Sequence, residues 1–158
     1  MFKKDVYIDR RKRLVSKMSG GIALFPGHTD AHMNYLSNIY HFRQNSSFLY
    51  YFGLDFPDIG AAIDLDSGES VVFGNELTMD DIIWMGPQPS MRERCAEVGV
   101  TDTRPFNDMH SFVKKAQDSG RKIHFLPQYR GETKILMSSM LGVKAADVNE
   151  HKSLELVN

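Results

Sequence analysis

Six histidines, His28, His32, His41, His110, His124 and His151, are the first residues to weigh for chemistry. His28 and His32 stand four apart, a spacing that puts two imidazoles on one face of a helix. Thr29-Asp30-Ala31 lies between them, so the segment supplies no glutamate as a general base. Two ligands alone do not make a metal site. Asp64 and Asp66 flank the end of an apolar run and its turn. A metal-dependent nuclease would want such an acid on a strand beside a hairpin. Asp66-Ser67-Gly68 forms a turn unaided, which is the simpler reading. Asp80 and Asp81 fall in the first turn of a helix, where the helix dipole accounts for them. The single cysteine, Cys95, sits among Arg92, Glu93, Arg94, Ala96 and Glu97 with no cue that lowers its pKa. Neither Gly-x-Ser-x-Gly nor Gly-x-x-x-x-Gly-Lys occurs, and Ser19-Gly20-Gly21 precedes a strand instead of following one. The residues by themselves assemble no active site.

Composition narrows the class. The chain has 158 residues, 42% of them hydrophobic and 25% charged, which is globular composition. Nineteen Lys+Arg against 20 Asp+Glu give a formal charge of -1, so nucleic acid is not expected as the partner. One cysteine excludes an internal disulfide framework. Without an apolar run of about 18 residues the sequence offers no membrane span. The start, Met1-Phe2-Lys3-Lys4-Asp5, has no secretory core, and a cytoplasmic domain is the expectation.

The elements that would position these residues alternate between helix and strand. Tyr7 to Met18 has helical spacing, with Arg10, Arg11, Lys12, Arg13 and Lys17 read as a solvated or docking face. Ile22 to Phe25 is a uniformly apolar buried strand ended by Pro26-Gly27. His28 to Asn38 reads as a loop or short helix, and Tyr40 to Gln44 alternates as a strand would. Asn45-Ser46-Ser47 then caps a helix that stops at Gly53. Ile59–Leu65 and Ser70–Phe73 form a hairpin. Helices follow at Leu77–Met85, Met91–Val98, Asn107–Asp118 and Glu132–Leu141, with short strands at Val100–Arg104 and Lys122–Leu126. Ala145 to Val157 is weakly patterned. The fold class is therefore α/β, a mixed β-sheet flanked by helices.

An aromatic block stands out: Tyr40, Phe42, Phe48, Tyr50, Tyr51, Phe52 and Phe56 crowd around Arg43 and Gln44. The run Tyr40-His41-Phe42-Arg43-Gln44-Asn45-Ser46-Ser47-Phe48-Leu49-Tyr50-Tyr51-Phe52-Gly53 resembles the Tyr/Phe-Arg-Gln-x-Ser-x-Phe-x-Tyr-x-x-Gly segment of the N-terminal domain of Xaa-Pro aminopeptidases (aminopeptidase P) and their prolidase relatives. Gly21-Ile22-Ala23-Leu24-Phe25, Phe56-Pro57-Asp58 and Ile83-Trp84-Met85-Gly86 agree in order, so the resemblance runs through essentially the whole chain.

The resemblance implies a creatinase/prolidase-type N-terminal domain with ribonuclease-H-like topology, spanning residues 1–158 and carrying no catalytic residue of its own. It implies a pita-bread metallopeptidase domain beyond this chain, holding two metal ions, usually manganese, and hydrolysing the bond between the first residue and a following proline. It further implies a homodimer or homotetramer, proline-containing peptides as substrates, and Trp84 as a wall of the substrate pocket in a neighbouring subunit. Arg43 and Gln44 are expected to organise the corner between strand and helix, with Phe42, Ser46, Phe48, Tyr50 and Gly53 as structural members of the motif. No cofactor or metal is expected in this chain. Other readings are a standalone interaction module of the same fold, a prolidase N-terminal domain and, more weakly, a nuclease using Asp64.

Overall fold

In the computed structural model, which describes residues 2–157 and, for residues 81 and 85, the backbone alone, five strands form one mixed sheet in the order β4-β3-β2-β1-β5. The strands are β1 (Ile22–Pro26), β2 (Gly60–Asp64), β3 (Ser70–Phe73), β4 (Asp102–Arg104) and β5 (Ile123–His124). β2 pairs antiparallel with both β1 and β3, while β4 is parallel to β3 and β5 is parallel to β1. Four strands thus point one way and β2 opposes them, so the carboxyl ends of β1, β3, β4 and β5 share one edge of the domain.

Alternation along β1 divides the core. Ala23 and Phe25 face one cluster, with Tyr7 and Leu14 of α1 (Lys4–Val15), Phe48 and Phe52 of α2 (Ser46–Phe52) and Met91 of α4 (Met91–Ala96). Ile22 and Leu24 face the other, with Met109 and Val113 of α5 (Asp108–Asp118) and Met137 and Met140 of α6 (Gly131–Leu141). Every residue of β1 is buried because helices cover both faces, which is why its sequence is uniformly apolar. This is the mixed sheet flanked by helices expected from the sequence.

Several expectations need correction. Tyr40 to Gln44 is not a strand: Gln44 spends its side-chain hydrogen bonds on neighbouring loops, and Ile39 makes an isolated bridge to His32 instead of joining the sheet. The strands read as Val100–Arg104 and Lys122–Leu126 shrink to Asp102–Arg104 and Ile123–His124. The weakly patterned tail folds into a 3-10 helix (Ala145–His151) and a short α7 (Leu154–Val157). Its Ser153 Oγ lies 2.7 Å from His124 Nδ1, and its Glu155 accepts from the Ser19 hydroxyl at 2.8 Å, which ties the tail back to the amino end of β1.

The hairpin acids are structural. Asp64 Oδ1 accepts from the backbone N–H of Asp66 (3.0 Å) and of Ser67 (3.1 Å), closing the turn. Arg121 grips both Asp64 oxygens, at 2.7 and 2.8 Å, and also pairs with Asp66. Arg121's hydrogen bonds, helped by the two backbone donors, hold the Asp64 carboxyl below its ordinary value of 3.8 although burial pulls the other way. A depressed carboxylate adds stability above its unfolded-state pKa and loses it as pH falls through the folded-state value. We therefore expect Asp64→Asn to lower unfolding free energy by about 1–2 kcal/mol at pH 7, with the difference from the parent shrinking below about pH 4. Urea unfolding at pH 7 and pH 3 checks this; an undiminished gap at pH 3 would contradict it.

Candidate functional site

The motif block spans the end of the connection from β1, at the shared carboxyl edge, and the whole of α2. Asn45 caps α2, its Oδ1 accepting from Ser47 N–H (2.9 Å) and Phe48 N–H (3.2 Å). Phe48 and Phe52 turn inward from that helix into the core. Gly53 ends it in the left-handed region (φ 66°), and a Cβ there would lie 2.6 Å from Tyr7 Cε1, so the position needs glycine for both conformation and space. Tyr50 is exposed and carries the Arg10 guanidinium 4.1 Å above its ring. Phe42 is half-buried and Ser46 is exposed.

The corner between β1 and α2 is organised by Gln44, which is 3% exposed. Its Oε1 accepts from His28 N–H (2.7 Å) and Asn45 N–H (2.9 Å), and its Nε2 donates to the Phe56 carbonyl (2.9 Å). Arg43 takes no part in this through its side chain, which is exposed; its carbonyl meets His28 Nδ1 at 2.9 Å. The buried cation that satisfies carbonyls is Arg11, 4% exposed, donating to Tyr51 O (2.9 Å), Val98 O (2.8 Å) and Gly99 O (3.1 Å). The sequence puts Arg11 on a solvated or docking face, and the structure buries it. Its spacing from Tyr7 and Leu14, four and three residues, puts it on the buried stripe of α1, and that signal was in the sequence. Arg10 is also committed internally, through Tyr50 and its carbonyl at 2.8 Å.

Trp84 lies on α3 (Met79–Met85), in the connection after β3, and is 88% exposed. Met79 and Ile83 of the same helix are exposed, as are Met33, Tyr35, Leu36 and Tyr40 in the connection after β1 and Tyr129 after β5. Exposed apolar side chains therefore stand in the connections that follow β1, β3 and β5, all at the carboxyl edge. Sequence reasoning singled out Trp84 and Tyr40 but not Met33, Tyr35 and Leu36, isolated apolar residues with no period to reveal them.

The other candidates do not come together. His28 and His32 are not on a helix; the Nδ1 of His32 is 2.9 Å from the Leu36 carbonyl. Cys95 is fully buried, and burial, reinforced by Glu76, pushes its thiol up to about 12, which makes it a poor nucleophile. Among the described residues no group of three or more His, Cys, Asp or Glu could hold a metal ion. The described residues therefore do not fit a pair of metal ions. Among the described residues no helix is long and apolar enough to cross a membrane.

The family model for the aminopeptidase P N-terminal domain matches residues 7–124. The chain belongs to that family. A probable Xaa-Pro aminopeptidase, pepP, from Metarhizium robertsii is 31% identical over 71 residues, 45% of this chain and 15% of its own length. Among solved structures, a low-pH form of aminopeptidase P from Escherichia coli superposes with a TM-score of 0.74 at 20% identity, covering 90% of this chain and 33% of that one. Proline aminopeptidase P II from Yersinia pestis gives a TM-score of 0.74 at 20% identity over 89% and 33%. At this identity the likeness is one of fold. This aminopeptidase P N-terminal domain spans about a third of the length of those structures.

Proposed function

We propose that this chain is the non-catalytic N-terminal domain of a metal-dependent Xaa-Pro aminopeptidase working in the cytoplasm, and that it supports oligomerisation and shapes the active-site entrance. Its partners in this reading are a metallopeptidase domain of the same protein, further copies of the chain, and proline-containing peptides. The two manganese ions would be held by that other domain, which must supply every ligand. The observation that carries the reading is the placement of Trp84. A side chain of this size, almost wholly exposed on a short helix, does no packing for its own fold, and such aromatics act as anchors against another surface. Met79, Ile82 and Ile83 of the same helix are exposed and apolar too, which suits a wall against a peptide or subunit.

The test is Trp84→Ala in the full-length protein, assayed on an Xaa-Pro peptide. We expect kcat/KM to fall roughly tenfold or more, the loss of one buried aromatic contact, with metal content unchanged. In the isolated domain the same substitution should move unfolding free energy by no more than about 0.5 kcal/mol, because the ring is solvated. Unchanged kinetics would remove the entrance role, and hydrolysis by the isolated domain with manganese would overturn its non-catalytic character.

A further inference from the structure

We propose that a groove at the carboxyl ends of β1 and β5 is a binding site for a carboxylate, gripped by the Arg43 guanidinium. The groove has a volume of about 680 Å³ and is lined by His28, Arg43, Ser46, Ser47, Tyr129 and Arg130 among others, with no Asp or Glu among the described lining residues. Its position has a topological reason. The connection after β1 runs to α2 on one face of the sheet, and the connection after β5 runs to α6 on the other. Two parallel neighbours whose connections part to opposite faces open a crevice between them, and ligands of α/β sheets bind in such crevices.

Within the groove Arg43 is the unassigned charge. Among the described residues its side chain makes no hydrogen bond, ion pair or ring contact, although its backbone is held firmly. His28 Nδ1 meets its carbonyl at 2.9 Å, and the buried Gln44 anchors the next residue at three points. The guanidinium is therefore free to bind while its backbone is held, so binding has to order the side chain but not the loop that carries it. Arg130 supplies a second, partly engaged cation: Nη1 donates to Thr29 O at 3.1 Å, and Nε is 3.8 Å from Glu132. The ligand chemistry follows from the donors that are left. The backbone N–H groups of Ser47 and Phe48 are already taken by Asn45, so no cradle of amides remains for a phosphate. The Arg43 guanidinium is a planar fork that pairs with two oxygens of an anion, and with no amide cradle to hold further oxygens the two-oxygen carboxylate is the better match. This inference stands on the groove and does not require the aminopeptidase reading.

The test titrates the isotope-labelled chain with four small probes while following the Arg43 Nε–H and the Ser46 and Ser47 amide resonances. Acetyl-Ala-Ala presents a chain-terminal carboxylate, acetyl-Glu-amide a side-chain carboxylate, acetyl-Ala-Ala-amide none, and inorganic phosphate the rival anion. We expect saturable shifts with at least one carboxylate, weakened by salt as a partly exposed ion pair must be. Response to the first probe alone marks a peptide terminus as the source, response to the second alone marks an acidic side chain, and response to both shows that the carboxylate itself is read. Arg43→Gln should weaken that binding roughly tenfold or more, and Arg43→Lys should recover only part of it, since the point charge survives without the fork. Equal binding of the amide, tighter binding of phosphate, no saturable shift, or undiminished binding by a folded Arg43→Gln chain would each overturn the proposal.

Discussion

Arg11→Ala is expected to lower the unfolding free energy by about 3–5 kcal/mol, which at this chain length is a fall in Tm of roughly 10 °C. Arg11 sits on α1, yet its three acceptors are the carbonyls of Tyr51, in the last turn of α2, and of Val98 and Gly99, just past α4. Those are two helix C-termini, where carbonyls lack partners within the helix and the dipole leaves partial negative charge. One guanidinium thus answers both ends and joins segments 87 residues apart in sequence. Burial pushes its pKa down to about 10, because the charge has left water; the three carbonyls are what it has in exchange. Truncation removes the cation and leaves carbonyls such as that of Val98 buried without a donor. Arg11→Lys should recover less than half of the loss, because an ammonium cannot fork between the two helix ends. The control is Lys12→Ala, one residue on and exposed, with a change within about 0.5 kcal/mol. A loss for Arg11→Ala no greater than for the control would show that the hydrogen bonds contribute nothing.

Gln44→Ala is expected to cost about 2–4 kcal/mol, again read by urea unfolding. Its amide bridges three pieces of chain at once: His28 after β1, Asn45 at the cap of α2, and Phe56 before β2. The site has no room for slack. Gly27 packs on the amide so closely that a Cβ there would lie 3.2 Å from both of its terminal heavy atoms. Truncation leaves a void at that contact and three backbone groups without their partner. The consequence reaches function as well, because the loop that Gln44 holds carries Arg43 and the apolar segment ending at Tyr40. Amide exchange should therefore quicken through residues 28–45 while the sheet stays protected. Exchange that quickens uniformly, in β1 as much as in the loop, would contradict a local role.

How far the sequence could be read depended on whether a residue's partners were near it in the chain. The helix ending at Gly53, the cap at Asn45 and the hairpin turn at Asp64 were legible because each is closed by neighbours a few residues away. Tyr40 to Gln44 misled because its alternation imitates a strand, while the alternation serves a loop whose one buried member, Gln44, bonds to residues 12 and 16 positions off. Arg11 misled for the same reason at greater distance: charge and composition argued for solvent, and acceptors 40 to 88 residues away decided otherwise.

The sequence by itself determined the alternation of helix and strand, the buried character of β1 and the family, since periodicity, caps and a contiguous motif are all local. It also marked Arg43, Gln44 and Trp84 as residues of interest. Tertiary structure alone decided which of them does what. Only the packing of α1 against α2 and α4 buries Arg11, and only the parting of the β1 and β5 connections leaves Arg43 free in a groove. The common direction of four strands, set by pairings between distant segments, is what brings the motif loop, Trp84 and Tyr129 to one edge.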